Sequence, residues 1–573
     1  MHPSAFRLAV ILAATLGVVP AACGGSGTTP PRNLPTPNPA LALKSRVVSM
    51  TVLGQLPVGT FNGVPYVKTY GVISGIIDPK EAVVNIGSQP KDANGMVDYT
   101  TQYEIIAPAA GSAPDTVILV DAENRSSAIS LGSLNQSPAS TGGTSPDGQM
   151  WATGMGNGFL QNNATAYGRV QWQSSATTNG DNTSIPANAQ GEGLVVERDF
   201  GRMLAGTTAA PTVTGATYTP PTFATRIFTG ISQSAWTVNT LLAEGFNVDP
   251  TNLKAVFQGM IPIDGTGNWL AINNLGAAAG APMGAYLDPN ANAGASPLSA
   301  AQLLSRPGSD PFYIDVANYT DFYRVFASLS DSPTSIANYR RYDWPGPHGA
   351  SAVPAAASGA GVFAPNPAVT QGGACDAGVS VATNPIGYQP YFRAIFLELE
   401  KQLGVAAASS APSLPASTYF TLTSAPSVQT TVVNGATLNT FNDSIGATLQ
   451  VPALDANMWP QGGVRTPDEM FPLGQPTEIA SDGAQEVSLP PALTNSISDT
   501  CGNTGVFNVF SSSQLTTLYG NQANYVAQYD TQVKALIAAG YVLASDETYM
   551  DTTAGTLFGY AVNGPPYNGG TNF

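Results

Sequence analysis

Charge is scarce in this chain. Asp, Glu, Lys and Arg make up 10% of its 573 residues, and 21 basic residues face 37 acidic ones, a formal net charge of −16. Nucleic-acid binding needs clustered positive charge, so a nucleic-acid partner is excluded. The acidity reads as a means of solubility rather than of substrate selection. Histidine is scarcer still, with only His2 and His348. A metal site built from several imidazoles is therefore ruled out, no clustered ligand set replaces it, and neither metal nor organic cofactor is expected. The three cysteines, Cys23, Cys375 and Cys501, are too few and too scattered for a disulfide framework. No apolar run approaches the roughly 20 residues of a membrane-spanning helix.

What is present is ample apolar material, 43% of the chain, enough for one large elaborated domain with appendages. Residues 1–22 combine Arg7, a short apolar run and small residues before Cys23, the pattern of an export signal peptide. Pro20-Ala21-Ala22-Cys23 is similar to a bacterial lipoprotein cleavage site, although Pro20 stands where leucine is usual, which leaves cleavage near Ala21 or Ala22 open. The expectation is an exported protein, held in the bacterial cell envelope by a lipid on Cys23 or else secreted, with no other membrane contact. That compartment would allow Cys375 and Cys501 to pair. Residues 23–45 are Pro/Gly-rich and read as a tether.

From residue 46 the composition turns globular. Short β-prone runs at 47–52, 66–73 and 99–106 predict an antiparallel, β-rich lead-in over 46–110. Residues 116–121 are continuously apolar up to Asp121, as in a parallel strand buried on both faces. Further strands are expected at 166–173, 253–263, 312–317 and 340–344. Helices are expected at 195–203, 237–245, 388–402 and, as the last element, 525–539, with Gly540 as its stop. Residues 265–308 read as a small-residue capping insertion, and 419–450 as an appended hairpin. Alternating strands and helices point to a mostly parallel sheet flanked by helices.

The chemistry centres on Thr225-Arg226-Ile227-Phe228-Thr229-Gly230-Ile231-Ser232-Gln233-Ser234. A β-prone run enters a small-x-Ser-x-small turn and a helix follows, the sequence form of a nucleophile elbow. Small residues are needed on either side because strand and helix pack closely where the chain reverses. Ser232 is the candidate nucleophile, and Ser234 the weaker one, since Trp236 would crowd its turn. A serine hydroxyl needs a base, usually histidine, oriented by a carboxylate. His2 leaves with the signal peptide, so the base of any triad in the exported protein is His348, in a Pro/Gly loop after the strand at 340–344. In the chain order Ser, acid, His, Asp321 follows the strand at 312–317, and Asp264, one strand earlier, is its chief rival. Oxyanion donors are expected from the backbone N–H of Gln233 and from the loop at Asn124 and Arg125.

Gly230-Ile231-Ser232-Gln233-Ser234 with Glu244-Gly245-Phe246-Asn247 resembles the elbow of a bacterial family known as the alpha/beta hydrolase domain proteins. The turn at Asn124-Arg125, the loop from Arg340 to His348, the Asn384-Pro385 to Arg393-Ala394 helix and the segment from Gly540 to Asp546 are similar to further family motifs. The resemblance implies an α/β-hydrolase fold and serine esterase chemistry. The family's acidic segment falls on Asn318-Tyr319-Thr320-Asp321, with Tyr319 at its glutamate position, so Asp321 is the carboxylate that remains. Ala235 and Trp236 stand where the family has Gly and Arg, a difference that bears on substrate preference. The expectation is an exported serine hydrolase that cleaves small-molecule or polymeric carboxylic esters through an acyl-enzyme. Two alternatives stand beside it: a cell-surface depolymerase of polyesters or other bulky esters, and a non-catalytic binding lipoprotein on a hydrolase scaffold.

Overall fold

The computed structural model describes residues 43–124, 127–136, 154–172, 191–270, 297–324, 327–330, 335–347, 386–424, 428–433, 436–442, 450–477 and 506–563. The chain divides into Met1–Asn33 and Leu34–Phe573, and all described residues belong to the second. The expected signal peptide, Cys23 with its expected lipid, most of the expected tether, Cys375 and Cys501 lie outside the described residues, as does the middle of the expected insertion at 271–296.

One ten-stranded sheet organises the protein. Its strands are β1 (Arg46–Phe61), β2 (Val64–Ile77), β3 (Val97–Pro108), β4 (Val117–Asp121), β5 (Thr165–Val170), β6 (Thr212–Thr214), β7 (Thr225–Ile231), β8 (Gly259–Ile263), β9 (Phe312–Asn318) and β10 (Tyr339–Trp344). The spatial order is β10-β9-β8-β7-β4-β5-β3-β2-β1-β6. From β10 to β5 every neighbouring pair is parallel. The antiparallel lead-in is present as β1, β2 and β3. It does not stand apart as a separate layer, because β3 pairs antiparallel with β5 and extends the same sheet.

The central strands show why both faces must be covered. In β4 all five residues are buried, and they alternate between two cores. Ile118 and Val120 join the cluster formed with Leu194, Val195 and Phe200 of the helix Glu192–Ala205 and with Trp236, Val238 and Leu241 of the helix Gln233–Ala243. Val117 and Leu119 join the other cluster, formed with Leu131 and Leu134 of the helix Ile129–Asn135 and with Phe392, Ile395 and Phe396 of the helix Gln389–Gln402. A period of two along the strand thus feeds two helical layers, which is the α/β-hydrolase arrangement.

Several element boundaries differ from expectation for local reasons. The helix after β7 starts at Gln233 rather than at 237, directly behind the turn serine. The strand expected from 253 begins only at Gly259, because Asp249 closes a turn first. Its carboxylate accepts from Thr251 N at 2.8 Å, and Leu253 takes a left-handed φ of 61°. The helix expected at 525–539 spans Gln522–Ala539, since the Asn521 side chain caps it by accepting from Asn524 N. Gly540 ends it at φ 88°, as expected. It is not the last element, for the helix Glu547–Asn563 follows. That helix buries Met550, Ala554, Leu557 and Phe558, an apolar spacing hidden among Thr, Gly and Ala. In the appended region, strands Val428–Val433 and Ala436–Asn442 form the antiparallel hairpin expected there, with Leu422–Ser424 paired to Gln450–Pro452 beside it.

Candidate active site

At the C-terminal end of β7 the backbone of Ser232 takes φ 58° and ψ −125°. A non-glycine residue with positive φ costs on the order of 1–3 kcal/mol and persists only where its surroundings force it. Here the forcing is visible. Ser232 N donates to Ile263 O of β8 at 2.9 Å, while its carbonyl accepts Ala235 N at 2.9 Å and so opens the helix. Gly230 allows the reversal: a Cβ there would sit 2.5 Å from the backbone carbonyl carbon of Ser234. The requirement for a small residue two before the serine is therefore steric, as the motif implies.

Ser234 has a different task. Its Oγ donates to Ile231 O at 2.9 Å and accepts Ile231 N at 2.8 Å, so the hydroxyl closes the turn from inside. It is buried, whereas Ser232 is partly exposed. This double bond to Ile231, rather than crowding by Trp236, separates the two serines. Trp236 turns into the core and donates its indole N–H to Asp264 O at 3.0 Å.

The turn after β4 is tied to the elbow. Asn124 Nδ2 donates to Ile231 O at 3.0 Å, and Asn124 N donates to Ser127 O at 3.0 Å. Asn124 thus commits its backbone donor and its amide to holding this turn against the residue before Ser232. Arg125 lies outside the described residues. Gln233 is the first helical residue, the position whose N–H points toward the helix N-terminus.

Asp321 and Asp264 are both fully buried at the C-terminal edge of the sheet. Asp321 Oδ2 accepts Asn318 N at 2.8 Å. Asp264 has a left-handed φ of 61°, donates its backbone N–H to Val316 O at 3.0 Å, and accepts the side-chain amide of Asn318 on Oδ1. Asn318 therefore touches both carboxylates, a role that residue type did not signal; its place as the last residue of β9 was the available clue. After β10, Gly346 O accepts Tyr319 N at 2.9 Å, which sets the start of the histidine loop against the segment that carries Asp321. His348, just past Pro347, lies outside the described residues.

Beneath the Asn124 turn is a group of buried acids. Arg169 Nη1 donates to Glu123 Oε2 at 3.2 Å, Tyr167 OH donates to Asp121 Oδ2 at 3.2 Å, and Trp172 Nε1 donates to Glu123 O at 2.9 Å. Burial pushes Glu123 up to about 7, against the opposing pull of Arg169, and Asp121 up to about 6. Glu197 is pushed well above the usual carboxylate range by burial and then by Glu123 and Asp121. Among the described residues, one acidic group has metal-ligand spacing, Asp530, Glu547 and Asp551 on the C-terminal helices. Lys534 already pairs there with Asp530 at 2.6 Å and with Glu547 at 3.6 Å.

In a comparison with protein families, residues 90–551 match the alpha/beta hydrolase domain family, in keeping with the mostly parallel sheet between helical layers. The chain belongs to that family. A comparison with curated proteins finds no match. Among solved structures, the chain is similar to a CE15 glucuronoyl esterase from Teredinibacter turnerae, with 11% identity and a TM-score of 0.25, over 50% of this chain and 63% of that one. It therefore spans less than two thirds of that protein's length.

Proposed function

We propose that this alpha/beta hydrolase is an exported serine hydrolase of carboxylic esters. The observation that carries the reading is the strained Ser232, at φ 58° and ψ −125° between β7 and its helix, partly exposed while Ser234 is locked inside the turn. In this reading Ser232 Oγ attacks the ester carbonyl as His348 takes its proton, and Asp321 orients the imidazole. The Gln233 N–H, with a second donor from Arg125 rather than from Asn124, whose N–H and amide are engaged within the turn, holds the developing oxyanion. His348 then protonates the leaving alkoxide, and water releases the acid from the acyl-enzyme by the same route. Cys23 is proposed to carry a lipid that keeps the enzyme at the cell envelope, with Cys375 and Cys501 paired.

Fluorophosphonate labelling, together with hydrolysis of short and long p-nitrophenyl esters, tests the reading. Wild type should label and turn over, and Ser232→Ala and His348→Ala should do neither. Absence of labelling in wild type, or turnover that survives in Ser232→Ala, rejects it. Asp321→Asn should cost far more activity than Asp264→Asn, and the reverse order moves the acid to Asp264. For the anchor, Cys23→Ala should release the protein from membranes.

A further inference from the structure

We infer that Asn318 is a positioning residue that donates to both buried carboxylates of the site and favours their ionised forms. The inference rests on the triad reading above for its catalytic consequence, and on described residues alone for its geometry. Asn318 is the fully buried last residue of β9. Its side-chain amide donates to Asp264 Oδ1 and its backbone N–H donates to Asp321 Oδ2 at 2.8 Å. Both carboxylates are buried, and burial disfavours the ionised form of each. A hydrogen bond donated to each anion opposes that tendency.

The chemistry of the groups also sets the direction of the amide. An ionised Asp264 can only accept, so Asn318 Nδ2 must face it and Oδ1 must face the other way. Oδ1 is buried with no hydrogen-bond partner, and a Cβ placed on Gly346 would lie 3.8 Å from it. The acceptor end thus abuts the turn that leads into the histidine loop, and Tyr319 N–H, the next donor along the chain, bonds Gly346 O. Asn318 therefore links the ends of β8 and β9, and Tyr319 after it bonds the start of the loop after β10. Among the described residues, Tyr388 also senses Asp264: burial pushes it up, its bond to Ser133 opposes this, and Asp264 and Asp121 add to the rise. Asp315, lower on β9, is engaged with Thr266 N at 3.1 Å and with Arg341 at 3.7 Å.

The test compares wild type with Asn318→Ala and the nearly isosteric Asn318→Asp, the latter covering the case in which alanine does not fold. Both variants remove the amide donor to Asp264 and keep the backbone N–H that serves Asp321, and a hydrogen bond to a charged group is worth about 10- to 100-fold. The expectation is a fall of that size in kcat for p-nitrophenyl acetate, with KM within about twofold. The acid limb of the pH–rate profile should move to higher pH in Asn318→Ala and further in Asn318→Asp, which adds a third carboxylate. In an Asp264→Asn background, Asn318→Ala should add little. An unshifted acid limb, or full additivity with Asp264→Asn, overturns the inference while labelling of wild type leaves the triad reading standing. If wild type neither labels nor turns over, the triad reading falls and urea unfolding across pH decides Asn318 by itself. A penalty for Asn318→Ala that is large above pH 6 and fades as the carboxylates take up protons supports the role. A penalty that does not vary with pH overturns it.

Discussion

The helix Glu192–Ala205 carries two ionic groups of opposite character. On one side Arg198 makes a forked pair with Glu81, at 2.6 and 3.0 Å, and also bonds Asp199 at 3.0 Å. Arg202 bonds Asp199 at 3.0 Å, Asp249 at 3.1 Å and Ser45 O at 2.7 Å. Each carboxylate there meets a guanidinium. On the other side a single guanidinium, Arg169, faces Asp121, Glu123 and Glu197, and neither carboxylate oxygen of Glu197 has a hydrogen-bond partner. The balanced group joins the lead-in to the helical layer. The unbalanced group lies under the turn whose Asn124 holds Ile231, at the edge of the sheet where Ser232 sits. The difference teaches that the group under the elbow turn holds more buried acid than its one guanidinium can pair, while the group that joins the lead-in gives each carboxylate a guanidinium.

Breaking the balanced side should have the larger effect. Arg198→Met leaves Glu81 and Asp199 buried without their shared partner, and removing one member of a buried pair costs about 3–5 kcal/mol. Urea unfolding at pH 7 should show that loss. The unbalanced side should respond in the opposite direction. In the folded protein Glu197, Glu123 and Asp121 all bind protons more tightly than in the unfolded chain. Their contribution to stability is therefore fully present below the ordinary carboxylate range; that of Asp121 and Glu123 is lost as pH rises through about 6 and about 7, and that of Glu197 is lost as pH rises above the ordinary range. Glu197→Gln removes one of these protons from the balance. It should be more stable than wild type at pH 8, with the gain vanishing near pH 4. Thermal melts across that range check the sign, and a gain independent of pH would show that Glu197 does not titrate on unfolding.

The smallest change in stability is expected at the link between this group and the elbow. Asn124→Ala deletes one partly buried hydrogen bond, worth about 1 kcal/mol. If the turn positions the elbow, the rate of fluorophosphonate labelling should fall by more than that loss of stability can explain. Equal labelling of variant and wild type would reduce Asn124 to an ordinary turn residue.

Much of the fold was legible because strong local signals agreed with the tertiary outcome. The unbroken apolar run at Val117–Asp121 could only be a strand covered on both faces, and it is. Gly230 before Ser232 announced a close reversal, and the backbone of Ser234 occupies the space that a side chain would need. Where signals were weak, boundaries slipped. The helix Glu547–Asn563 is masked by small polar residues, and the start of β8 is displaced by the Asp249 turn. Within the site, residue types named Ser232, Asp264 and Asp321, but not how the last two are joined through Asn318.

The sequence by itself determined the inventory: an elbow serine, two histidines of which one, His348, follows the elbow, a few acids between them, and a parallel core. These are questions of composition and spacing, which local physics constrains. Tertiary structure decided which hydroxyl is left outside the turn, why Asn124 belongs to the elbow, and that a single asparagine serves two carboxylates. Those relations join residues as far apart as Asn124 and Ile231, or Asp264 and Asn318, and only the packing of neighbouring strands brings their donors and acceptors within reach.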